Sequence, residues 1–126
     1  MKRALTAFFL LTVAILLSIW SSHIFKREMG GLLYSINEII DNVDTDSDEA
    51  LRKRTDLLLA EWKKSSVFLH SLVMHDGMDE LEENITALPM IIEHSERDEF
   101  KKKCIEAVNQ IENLMNAEKI KIENIL

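Results

Sequence analysis

From Met29 to Val43 the apolar residues Met29, Leu32, Leu33, Ile36, Ile39, Ile40 and Val43 recur every third or fourth position. That spacing lays one oily stripe along a helix, because a residue three or four places on returns to the same face. Three further stripes follow. Leu51, Leu58, Trp62, Phe68, Leu69, Leu72 and Val73 mark a helix from about Ser47 to Met74. Met78, Leu81, Ile85, Leu88 and Ile92 mark the next, and Phe100, Cys104, Val108, Ile111, Met115 and Ile122 the last. Before all of them runs a stretch from Ala4 to Phe25, uncharged apart from His23 and closed by Lys2 and Arg3 on one side and by Lys26 and Arg27 on the other. Twenty-two residues at helical rise span about 33 Å, close to the roughly 30 Å of bilayer hydrocarbon. Trp20 sits where an indole can lie among headgroups.

The pattern therefore predicts an all-α chain, an N-terminal transmembrane helix followed by an up-and-down bundle of three to four helices. With three glycines and one proline, the composition is too poor in turn formers for a sheet-rich alternative. The expected organisation is a cytoplasmic tail at 1–3, an anchor at 4–25 and an extracytoplasmic bundle at 26–126. A cleaved signal peptide shares the basic start and apolar middle, but a cut after Ser22 puts the bulky Trp20 where a small residue is needed. Equal basic flanks leave orientation open on charge alone. The short leading tail and the acidic following domain favour the N-terminus in the cytoplasm.

The punctuation between stripes is specific. The stretch "DNVDTDSDEA", Asp41 to Ala50, is rich in residues that accept from free backbone N–H groups, so one helix ends there and another begins. Asp76 and Gly77 open the third helix and Ser95 the fourth. Two places threaten continuity. Gly30 and Gly31 cost about 2 kcal/mol relative to alanine and permit a bend at the bilayer surface. Pro89, without an N–H and crowding the carbonyl of Ile85, is expected to kink or end the third helix near Leu88.

Charge excludes some partners. The chain holds 22 acids and 15 bases for a net −7; without Lys2 and Arg3 the balance is 13 bases against 22 acids, about −9. Such a surface is unsuited to nucleic acid. The runs "RKR" at Arg52 to Arg54 and "KKK" at Lys101 to Lys103 read as solvated helix faces among acids.

No candidate chemistry survives its own geometry. His70 and His75, five apart, diverge by about 140° around a helix, whereas a helix-borne metal pair needs spacing three or four. His94 lies about 27 Å away at the other end of the third helix. His75 reads better as a helix-end residue whose cationic form favours the C-terminus of the second helix. Asp44, Asp46 and Asp48 alternate as calcium-loop ligands do, but the sixth and twelfth positions are Glu49 and Thr55 and not glycine and glutamate. Cys104 is on an apolar face and reads as a buried small hydrophobe, with a dimer disulfide or reactive thiol as the alternative. "NIT", Asn84 to Thr86, matches a glycosylation acceptor only formally. The reading is of a protein that is not an enzyme, without cofactor or metal. Trp62, expected in the core, and the corner residues His75 and Asp76 are the candidate partner or pocket residues.

The basic start and apolar anchor, "EW" at Glu61 and Trp62, His75-Asp76 followed by "MDELEENI", and the ending "ENIL" together resemble the small bacterial membrane proteins of domain-of-unknown-function family 4363. Glu118 resembles the acidic position of that family's tail. The resemblance covers nearly the whole chain. It implies an anchored helical protein of bacteria, typical of spore formers, and transfers no catalytic residue; Pro89 and Gly30-Gly31 depart from the pattern. The expected role is an interaction or scaffold protein at the cell envelope, its partners the lipid bilayer and another membrane protein, with homo-oligomers possible. The alternative is a sensor-like bundle that takes a small ligand near Trp62 and acts through a partner.

Overall fold

In the computed structural model, which describes residues 1–72, 77–94 and 96–125 and the side chains of these except 71, 72 and 125, four helices follow one another. They are α1 (Lys2–Asn42), α2 (Asp48–Leu72), α3 (Gly77–Glu93) and α4 (Arg97–Ile125). Each packs against its chain neighbours and α4 returns to α1, closing a four-helix bundle. The class expected from the stripes is the class observed.

The buried residues of each helix keep a strict alternation of three and four. They are Phe25, Met29, Leu32, Ile36, Ile39 and Val43 along α1 and its C-cap; Leu51, Thr55, Leu58, Trp62, Ser65 and Leu69 on α2. On α3 they are Met78, Leu81, Ile85, Leu88 and Ile92, and on α4 Phe100, Cys104, Ala107, Ile111, Leu114 and Glu118. A 3.5-residue repeat held on four helices is the spacing of left-handed coiled-coil packing, with one seam per helix facing the axis.

This register corrects three sequence expectations. Phe68 is exposed at 55%, because Leu69 occupies the seam position and its neighbour is turned about 100° away. Val108 and Met115 flank the seam that Ala107 and Leu114 fill. The third helix does not end at Leu88; it runs through Pro89 to Glu93. Pro89 lies in the last turns, where it forfeits one hydrogen bond to Ile85 and leaves the buried stripe intact on both sides.

α1 is likewise continuous through Gly30 and Gly31, with Met29 and Leu32 buried on either side. At 41 residues it is about 60 Å long, far longer than its bundle contacts require. The first buried residue is Phe25; the apolar length before it stands outside the bundle, with Phe8, Phe9, Leu16 and Trp20 each more than half exposed. In this segment the hydroxyls of Thr6, Thr12 and Ser18 donate to the carbonyls four residues back, at 2.8, 2.9 and 2.9 Å. Polar atoms satisfied within the helix suit an environment without water. α1 is a candidate membrane anchor by length and composition.

Candidate functional site

The end of the bundle farthest from the apolar rod is a charge clamp. Ser47 caps α2 by accepting from the N–H of Ala50 at 3.2 Å, as the capping sequence requires. The three aspartates that mimic a calcium loop each meet a different cation. Arg54 donates to Asp46 at 2.7 Å and approaches Glu38 at 3.6 Å, Arg97 donates to Asp48 at 2.9 Å, and Lys101 stands 3.8 Å from Asp44. The hydrogen bond with Asp46 holds the Arg54 guanidinium above its ordinary pKa. Arg97 also donates to the carbonyl of Val43, where the negative end of α1 favours a cation. The acids of this turn therefore hold α1, α2 and α4 together.

A second polar arrangement joins α1 to α2. Ser65 donates to Glu28 at 2.6 Å and Ser35 donates to Glu61 at 2.8 Å, so each helix supplies one serine and one glutamate. Gly31 lies under this clasp, since a Cβ there would stand 3.2 Å from Glu61 Oε1. The sequence carried a signal for it: Ser65 is a small polar residue on a seam position between Trp62 and Leu69. Across the other side, Asn84 of the "NIT" triplet donates to Gln110 at 2.9 Å and ties α3 to α4.

Trp62 is a core residue, 1% exposed, and its indole Nε1 finds no hydrogen-bond acceptor among the described residues. His75 and Asp76, the other two candidates, lie outside the described residues, so the structure does not bring the three together or separate them. His70 is exposed in the last turn of α2. His94 Nδ1 donates to the carbonyl of Met90 at 2.9 Å at the end of α3. Cys104 is fully buried, and burial pushes its thiol up to about 12. That is the inert, protonated state of a core cysteine.

The end of the bundle beside the rod has a groove of about 380 Å³ between α1 and α4, lined by Ser22, Phe25, Lys26, Met115, Glu118 and Ile122 among others. It arises from unequal helix lengths. A Cβ on Gly77 would lie 3.0 Å from Leu114, so α3 begins at the level of Leu114 while α4 runs on to Ile125. A smaller cleft on the α2 side is shared by Trp20, Ile24 and Phe68. No sequence motif announces either; both follow from register.

A bundle of four seamed helices, one of them prolonged into a bare apolar rod, defines a helical protein with a candidate anchor and with several polar side chains joining neighbouring helices. The chain belongs to the family described as Domain of unknown function (DUF4363), whose sequence model matches residues 19–125. The match begins just before Trp20 and takes in the whole bundle. Comparison with curated proteins and with solved structures gives no match.

Proposed function

We propose that this chain is a single-span, non-enzymatic interaction or scaffold protein of the bacterial cell envelope, with its N-terminus in the cytoplasm and its bundle outside. The observation that carries the reading is the unbroken passage of α1 from apolar rod into bundle core across Gly30 and Gly31. A rod that shares one helix with the core holds the bundle at a fixed height above the membrane and raises its local concentration beside a membrane partner. Ser22 lines the groove beside α4 and supports an anchor that is retained, since cleavage after Ser22 would remove that side of the groove and leave Phe25 and Lys26. A non-enzymatic role fits the side chains that resembled chemistry. The aspartates are paired with cations, Cys104 is sealed in the core, and Trp62 serves packing. Crosslinking in intact cells, followed by purification of the full chain, is expected to trap another membrane protein. Recovery of only a soluble monomer after gentle extraction would overturn the reading.

A second reading, a sensor-like bundle that takes a small ligand and acts through a partner, draws on the groove between α1 and α4, whose volume suits a modest ligand. Thermal unfolding against panels of metabolites separates the two, because a ligand bound to the folded state raises the midpoint.

A further inference from the structure

The membrane-side end of the bundle carries exposed large apolar side chains on three helices. Among them are Trp20 on α1 at 59% exposure, Phe68 on α2 at 55% and Ile120 on α4 at 58%. Register places Trp20 and Ile120 at one height and Phe68 about 7.5 Å nearer the bundle. Antiparallel helices of equal rise keep step, so the contact of Arg97 with Val43 sets Ile120 about level with Trp20 and Glu118 about level with Ser22. The groove that joins Ser22 to Glu118 and Ile122 agrees with that step. The pairing of Glu28 with Ser65 sets Phe68 about level with Phe25, and Phe68 shares its cleft with Trp20 and Ile24. Lys119 and Lys121 on α4 lie about level with Trp20, and Lys26 and Arg27 on α1 lie about 10 Å nearer the bundle, close to the level of Phe68.

The last turns of α4 thus stand beside the final part of the apolar run, where Ser18, Ser21 and Ser22 are partly shielded. If that run enters a bilayer, α4 cannot remain in bulk water. Its acids and lysines exclude the hydrocarbon, and its isoleucine with the neighbouring aromatics suits the layer between, where rings lie among headgroups and lysines reach the phosphates.

We infer that the end of α4 from Glu118 onward, with Trp20 and Phe68, is seated in the headgroup layer of the membrane that α1 spans, so that the bundle rests on the bilayer and does not swing above it. This inference rests on the anchor reading of α1. Two features then share a cause: α4 extends past α3 because it meets lipid, and Phe68 is apolar off the seam because it lies beside Trp20 and Ile24 in the headgroup layer, where Arg27 and Glu28 of the same cleft are also at home.

The test is a depth scan of the full chain in phosphatidylcholine–phosphatidylglycerol vesicles, with a nitroxide attached at Leu10→Cys, Phe68→Cys, Ile120→Cys or Leu57→Cys. Leu57 is also exposed on α2, about 16 Å nearer the far end than Phe68, and Cys104 is buried and stays unlabelled. Collision with oxygen, which concentrates in lipid, is compared with collision with a water-soluble nickel chelate. Ile120 and Phe68 are expected to give ratios several-fold above Leu57 and below Leu10. Equal ratios at Ile120 and Leu57, with Leu10 in lipid, would overturn the seating and leave the anchor standing. A Leu10 label open to the chelate would overturn the anchor, and this inference with it. Low collision with both reagents at Ile120 would mean that protein covers the arm, which also overturns it.

Discussion

Arg97, the first residue of α4, donates to the carbonyl of Val43 at the C-cap of α1, fifty-four residues earlier in the chain. Its second guanidinium nitrogen reaches Asp48 at the start of α2, so one planar group fastens three helix ends. A charged hydrogen bond to a helix-terminal carbonyl, from a residue about one-third exposed, contributes about 1–2 kcal/mol. Arg97→Ala is therefore expected to lower unfolding stability by about that amount in urea titration. Arg97→Lys recovers less than half, because an ammonium cannot serve both acceptors with one fork geometry. Equal stability of wild type and Arg97→Ala would show that the clamp is only a surface ion pair.

Gly30 and Gly31 are adjacent in sequence and differ in surroundings. A Cβ at Gly30 would meet nothing within 4 Å, whereas at Gly31 it would press on Glu61, which accepts from Ser35. Gly30→Ala should raise stability by about 0.5–1 kcal/mol, the gain from reduced chain entropy in a helix interior. For Gly31→Ala the same gain is offset by displacement of Glu61, leaving a change near zero or a loss. The difference between the two variants, read from thermal or chemical melts, is the diagnostic quantity.

The helix count, the seam of α3 and the capping turn at Ser47 were legible because periodicity and capping chemistry are local. What the sequence hid was register. Phe68 beside Leu69 and Val108 beside Ala107 compete for one stripe, and hydrophobicity alone ranks the larger residue inward. The seam goes instead to the residue that keeps the three-four alternation through Thr55, Ser65 and Ala107, two of them polar and one small. Thr55 tolerates the core by donating to the carbonyl of Leu51 at 2.7 Å. The glutamate–serine clasp was illegible for a related reason, since its partners are 26 and 37 residues apart and no motif links them. Pro89 misled because its cost depends on distance from the helix end, which the sequence alone places poorly.

Trp62 fills the seam of α2 with its indole N–H unpartnered among the described residues. Truncation and conservative replacement should therefore diverge. Trp62→Ala leaves a large cavity and is expected to cost about 3–5 kcal/mol. Trp62→Phe sacrifices volume but no hydrogen bond, and relieves a buried donor, so its cost should be at most about half as large. If instead the indole serves a partner, both variants would fold like wild type and lose crosslinking.

Cys104 links burial to pH. Burial lifts its thiol from an ordinary 9.0 to about 12, so the folded chain keeps the proton where the unfolded chain releases it. Above pH 9 the unfolded state binds fewer protons than the folded state, and stability must fall as pH rises toward 12; below pH 9 both states hold the proton and the effect vanishes. The contribution can reach about 1.4 kcal/mol per pH unit in that window. The comparison is with Cys104→Ala, which lacks this component and should lose less stability between pH 9 and 11 than wild type. A thiol reagent gives an independent reading at pH 7.5: native protein is expected to react slowly and denatured protein at once. Rapid modification of the folded chain, or identical alkaline losses in both proteins, would mean that Cys104 is not sealed in the core.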